Sequence, residues 1–289
     1  MINKQYLATF GLLFGALCWG IIWYPYRIME DAGVSGVASS LYTYSITAFV
    51  GLVLFAKHWR GLFKLPQSAY WLALVAGWTN LSYVLAVIDG EVMRVMLLFY
   101  LSPLWMLILA YFWLKEPIGI KRLVVIAISL VGAFIMLWQP GSLPLPNNQA
   151  EWLALSSGVG FALTNVITRR STHITLRTKS MAVWLGVIFM AIMLLPFQSL
   201  PFPNPSFFSL NNWMVMGCIA ILLMAATFFV QYGITQIPVT RASVLFLFEL
   251  VVAAIASYYL ANEAMTLREW IGGSLIVGAS LYAAISEQV

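Results

Sequence analysis

The chain has 289 residues, 62% hydrophobic and 9% charged, with a formal net charge of +5. Soluble domains carry about 25% charged residues, so this composition predicts an all-α membrane protein and leaves no polar stretch long enough for a separate soluble domain. The few basic residues are scattered among connectors, which excludes a nucleic-acid-binding face.

Ten apolar stretches run at roughly 7–28, 36–56, 69–88, 93–114, 121–138, 151–168, 180–196, 212–235, 240–260 and 269–286. A helix needs roughly 20 residues to cross the hydrocarbon core. No water there can satisfy an open backbone, so all ten are predicted to be transmembrane helices. The first stretch follows Lys4 and is too long for the apolar part of a cleavable signal. Most prolines fall between stretches, as in 140, 144 and 146 and again in 201, 203 and 205. Pro25 and Pro103 lie inside stretches and predict helix kinks, because proline removes a backbone donor. Cys18 and Cys218 both lie within apolar stretches and read as small buried hydrophobes.

Charge predicts orientation. With the N-terminus in the cytoplasm, ten crossings put Lys4, Lys57, Arg60, Lys64, Lys115, Lys121, Arg122, Arg169, Arg170, Arg177, Lys179 and Arg241 inside. Only Arg27, Arg94 and Arg268 fall outside. That bias obeys the positive-inside rule and puts both termini in the cytoplasm.

The fourth stretch has an echo in the ninth. Arg94 to Glu116 matches Arg241 to Glu263 at both ends and at Leu98/Leu245, Phe99/Phe246, Ile108/Ile255 and Tyr111/Tyr258. The third and fifth stretches then fall on the eighth and tenth. Five helices per copy is an odd number, so the copies, 1–144 and 145–289, have opposite orientations. Such inverted repeats place their sites near the midplane between the copies.

The candidate site follows from the polar residues that interrupt apolar helices. Glu249 is the one acid deep inside a stretch, and a charge there costs about 2.5–3.5 kcal/mol unless it faces the bundle interior or water. It reads as a proton carrier, an anchor for a cationic substrate group, or a structural Glu bonded to a neighbouring helix. Thr227, Gln231 and Thr235 form a polar stripe beside Tyr232, and Asn80, Tyr83, Thr164, Asn165 and Thr168 offer further polar groups. Each could line a cavity or simply join helices. Trp19, Trp23, Tyr26, Tyr42, Phe99 and Tyr100 could supply an aromatic wall suited to apolar or aromatic substrates, or serve as packing. Arg27 with Glu30 and Asp31, and Arg94 with Asp89 and Glu91, cluster at predicted outer helix ends and could form an external gate. His58 and His173 have no ligand-spaced partners, so no metal or other cofactor is expected. No GxxxxGK[ST] or HExxH motif appears, which argues against an ATP-driven pump and an intramembrane enzyme.

These features resemble the drug/metabolite transporter superfamily and, within it, the EamA family. The resemblance rests on Trp19–Gly20 in ALCWG, LKEP after the fourth stretch, LANE after the ninth, and REWIGGSLIVGASLY at the end. It departs at the family's Glu-Pro pair: Glu249 is followed by Leu250, and the first copy has Ser102–Pro103. The resemblance implies ten helices in two inverted five-helix halves around a central cavity. It further implies a secondary transporter of amino acids, other metabolites or amphipathic compounds in a bacterial-type inner membrane, most often an exporter. An importer, an exchanger or a non-transporting sensor or scaffold are the alternatives. Small residues in the last stretch, including Gly272, Gly273 and Gly278, could pack on the fifth helix or form a homodimer face. The expected partners are a small-molecule substrate, protons and the lipid bilayer.

Overall fold

A computed structural model describes residues 4–58, 66–114, 120–138, 145–197, 209–237 and 239–286. The expectations for Arg60, Lys64, Lys115 and Glu116, and for most loop prolines, lie outside the described residues. Those residues are helical and contain no strand. In chain order the helices are α1 (Lys4–Ile21), α2 (Trp23–Asp31), α3 (Gly36–Leu54), α4 (Gln67–Asp89), α5 (Val92–Phe99) and α6 (Ser102–Leu114). They continue with α7 (Ile120–Leu137), α8 (Gln149–Arg170), α9 (Leu176–Leu194), α10 (Leu210–Gln236), α11 (Val239–Ala256) and α12 (Leu267–Ser286). Among the described residues, six helices are long and apolar enough to cross a membrane: Gln5–Asp31, Gly36–Leu54, Gln67–Asp89, Val92–Trp113, Leu176–Phe197 and Leu210–Gln236. Phe248–Ala261 is a shorter apolar helix. Helix α8 is less apolar because Ser157, Thr164, Asn165 and Thr168 turn into the protein.

Local chemistry sets the helix ends. The Ser35, Asn148, Thr175 and Ser209 side chains accept from backbone N–H groups of α3, α8, α9 and α10. Thr266 and Glu269 form a reciprocal capping box at α12. At the end of α2, Gly33 takes φ 84° and Val34 N donates back to the Met29 carbonyl at 2.9 Å. That closing turn needs a left-handed residue, which glycine adopts freely. At the end of α8, buried Lys179 reaches back from α9 to the Thr168 carbonyl at 2.8 Å.

Both internal prolines sit at helix interruptions. Pro25 follows the turn at Ile22 that separates α1 from α2, and the Trp23 indole donates to the Gly20 carbonyl at 2.9 Å beside it. Pro103 cannot donate to the Phe99 carbonyl, and the chain turns at Tyr100 and Leu101 between α5 and α6. Helix α11 instead ends in a π turn at Ser257–Ala261, with Asn262 left-handed at φ 54°.

Packing is reciprocal. Helix α1 lies against α10 and α11, while α8 lies against α4 and the α5–α6 pair. Helix α3 packs on α10 as α9 packs on α4, and α3 and α9 touch each other. Helices α7 and α12 pack together to one side. Large apolar side chains such as Phe49, Phe112, Ile221 and Ile255 project outward, as a lipid-facing surface requires. Cys18 is buried, but Cys218 is exposed on that surface. An apolar stretch therefore did not by itself place both cysteines inside, because lipid also accepts apolar side chains.

Candidate functional site: a buried carboxylate in an aromatic cavity

Glu249 is 4% exposed, near the middle of α11. The turn between α5 and α6 brings Tyr100 opposite it. The Tyr100 hydroxyl donates to Glu249 Oε2 at 2.9 Å and also contacts the Phe246 carbonyl. Helix α1 approaches from the other side through Gly20. A Cβ there would stand 2.8 Å from the Val252 side chain and 3.0 Å from the Glu249 carbonyl. Only the missing side chain lets α1 come this close to the turn that carries the carboxylate, and it brings Trp19 with it. Tyr83 lies alongside, its hydroxyl 3.2 Å from the Trp19 carbonyl and 3.1 Å from Met96 Sδ.

Trp19, Tyr83, Phe246 and Glu249 are among the residues that wall a cavity of about 70 Å³, room for several water molecules at ~10–15 Å³ of such space each. One wall is a chain of ring contacts. Trp19 meets Tyr83 at 5.8 Å, Tyr83 meets Phe99 at 5.5 Å, Phe99 meets Phe161 at 5.1 Å and Phe161 meets Phe246 at 5.3 Å between centroids. The lining also carries Thr79, Asn80, Thr164, Asn165, Thr227 and Gln231. Asn80 is held on both sides: it accepts from the Tyr44 hydroxyl at 2.8 Å and donates to the Ala76 carbonyl at 2.7 Å. Gln231 Oε1 and Thr164 Oγ1 are buried with no hydrogen-bond partner among the described residues. Buried polar groups are seldom left so.

The cavity runs from Glu249 toward the end of the bundle where α8 and α10 finish. Thr164 and Ile234 in its wall lie within two turns of Arg170 and Gln236. At that end Arg169 donates to the Thr235 carbonyl at 3.0 Å, an exposed contact. The opposite end is clamped more firmly. Arg27 donates to the carbonyls of Val87 and Gly90 at 2.9 and 2.6 Å and pairs with Glu263 at 3.0 Å. Glu263 in turn accepts from Val92 N at 2.7 Å, at the positive start of α5. Arg94 pairs with Glu151 at 2.6 Å, and Glu151 also accepts from Asn147 N and Asn148 Nδ2.

The structure brings together Glu249, Gln231, Thr227, Asn80, Tyr83, Asn165 and Trp19 in one lining, with Tyr100 bonded to the carboxylate. Tyr42 is elsewhere, edge-on to Trp213 at 6.3 Å between centroids, and Tyr232 is half-buried outside the lining. The arginine partners also differ from the neighbours expected along the chain. Asp89 and Glu91 are exposed, and Glu263 and Glu151 take the arginines instead. Glu263 had a signal in sequence, as the acid that ends the repeated stretch. Glu151 had none, and neither did Phe161, because a phenylalanine in an apolar helix is indistinguishable from packing.

A sequence profile of the EamA-like transporter family matches residues 7–138 and again 148–285. The chain is 26% identical over 208 residues to an "Uncharacterized transporter" of Archaeoglobus fulgidus, covering 71% of this chain and 72% of that one. It is 27% identical over 217 residues to the "S-adenosylmethionine uptake transporter" of Rickettsia prowazekii, covering 75% and 70% respectively. One solved crystal structure superposes with a TM-score of 0.68 over 98% of each chain at 15% identity, a likeness of fold alone.

Proposed function

Because the chain belongs to the EamA-like transporter family, we propose that it is a secondary transporter moving a small metabolite across a bacterial-type inner membrane by alternating access around Glu249. The observation that carries this reading is the buried carboxylate in a cavity built by helices from both matched stretches. Ten crossings in two inverted halves, 1–144 and 145–289, provide the moving parts. The reciprocal packing of α1 on α10 and α11 and of α8 on α4 to α6 supports this, because each half lends one helix to the other. The basic-residue bias supports cytoplasmic termini. The Arg27–Glu263 clamp then closes the outer side, and the cavity faces inward.

Coupling uses Glu249 as the exchangeable proton site. The titratable groups facing it are the Tyr100 and Tyr83 hydroxyls, and no base stands in the cavity wall among the described residues. Export is the direction the sequence resemblance implies. Uptake is the alternative, favoured by the name of the Rickettsia prowazekii relative. The test is flux in proteoliposomes with an imposed pH gradient. Glu249→Gln should fold yet lose gradient-driven accumulation. Gradient-driven flux equal to that of the parent at every pH would remove Glu249 from coupling, and no flux with any solute would favour a sensor or scaffold.

A further inference from the structure

The charge and the unfilled hydrogen-bond positions of the cavity specify more than its existence. Its wall holds one carboxylate, Glu249, and among the described residues no Lys, Arg or His. An anionic ligand would meet a like charge in a low-dielectric space with nothing to balance it. A zwitterion would satisfy Glu249 with its ammonium and leave its own carboxylate to neutral amides and hydroxyls. Asn80, whose amide already donates to Ala76, has limited capacity to help. A cation has no such difficulty.

The aromatic wall adds to this preference. Rings present a negative face to cations and an apolar surface to hydrocarbon, so both ends of an amphipathic cation find a partner. One further observation points to a ligand that donates hydrogen bonds, and a second offers a hydroxyl that can donate or accept. Among the described residues nothing donates to Gln231 Oε1, although Gln231 is only 4% exposed. The Thr164 hydroxyl is likewise unpartnered at 8% exposure. Both lie in the cavity wall. A quaternary ammonium cannot fill these positions, whereas a primary or secondary amine can. The cavity volume of about 70 Å³ favours a compact molecule.

We infer that the cavity binds a small amphipathic monoamine as a cation, with its ammonium on Glu249, its apolar body along the Trp19–Phe246 wall, and a donor toward Gln231. The inference deepens the transport reading and rests on it for movement, although not for binding. Tyr100 is a positioning residue here: its hydroxyl holds one carboxylate oxygen and leaves the other for the amine.

Binding to the full chain in lipid nanodiscs tests this with four probes that share one phenyl body: phenethylamine, phenylalanine, hydrocinnamate and phenethyl alcohol. Phenethylamine should bind at least about tenfold more tightly than the other three, the difference expected of one charge-assisted contact. Glu249→Gln should abolish that preference. Phe161→Leu, which keeps the carboxylate, should weaken the amine severalfold, so the inference stays testable if the Gln variant does not fold. Equal or tighter binding of phenylalanine or hydrocinnamate would overturn the assignment, as would failure of all four to bind folded protein. Amine binding without flux of the same amine in proteoliposomes would leave the site assignment standing and remove the transport reading instead.

Discussion

Arg27 and Arg94 each hold a glutamate, yet the packing gives the two pairs different expected roles. Arg27 and Glu263 belong to the α2 and α11 side, and together they grip the α4–α5 turn through Val87, Gly90 and Val92. Arg94 and Glu151 both belong to the α5 and α8 side, which packs as one body. Breaking the first pair should open a gate, and breaking the second should weaken a strut. In Arg27→Ala, two charge-assisted hydrogen bonds to carbonyls disappear, each worth ~1.5–3 kcal/mol. The side chain is 23% exposed, so water recovers part of this and about 2–3 kcal/mol is a fair net. That is a shift of roughly 10²-fold in the ratio of open to closed outer end. Glu151 has a side chain only 4% exposed, and Glu151→Ala leaves the Arg94 guanidinium buried without its acid, at a cost of about 3–5 kcal/mol. For a chain of this size that lowers the apparent Tm by roughly 6–20 °C. Spin labels at Asp31→Cys and Glu91→Cys, with Cys18 and Cys218 replaced by Ser, would report the outer separation in nanodiscs. Arg27→Ala should add a longer-distance population, and Glu151→Ala should leave the distances alone and lower Tm. The reverse assignment, or unchanged distances in Arg27→Ala together with an unchanged Tm in Glu151→Ala, would refute the reasoning.

Four further outcomes are expected. Gly20→Ala should lower thermal stability by about 1–3 kcal/mol, the usual cost of overpacking, because its Cβ would press on Val252 and the Glu249 carbonyl; a silent substitution would mean α1 and α11 do not meet at Gly20. Single cysteines at Ser142 and Ser206 should be labelled by an impermeant reagent from outside intact cells, whereas cysteines at Gln67 and Thr172 should not, and the opposite pattern would overturn the ten-crossing orientation. Gly132→Leu should destabilise the α7–α12 contact, where an added Cβ would stand 2.7 Å from the Gly272 carbonyl. Gly278→Leu should leave monomer stability unchanged, because nothing among the described residues lies within 4 Å of its Cβ position; weaker crosslinking in that variant would mark Gly278 as a homodimer contact.

Much of this protein was legible in its sequence because a membrane makes composition decisive. With no water available to the backbone, long apolar runs have few choices but the helix. Pro25 and Pro103 marked the two interruptions, since a missing N–H acts locally and needs no knowledge of neighbours. Glu249 announced itself through the cost of an acid in an apolar run. The repeat of Arg94–Glu116 in Arg241–Glu263 suggested two related halves before any helix was placed.

The sequence could not say which helix faces what. Helices apolar all round carry no stripe that separates lipid from protein, so Cys18 and Cys218 looked alike and ended on opposite sides of that division. Phe99, Phe161 and Phe246 lie on three different helices and become a wall only where those helices converge. The arginines' neighbours along the chain were Glu30 and Asp31 for Arg27 and Asp89 and Glu91 for Arg94, but Glu263 and Glu151 reached them through space. Sequence alone pointed to the helical class, its two proline breaks and the acid deep in an apolar run, because those depend on local backbone chemistry and transfer cost. Tertiary structure decided the cavity, the clamp and every partner, because these depend on close approaches such as that of Gly20 to Val252, which no single helix encodes.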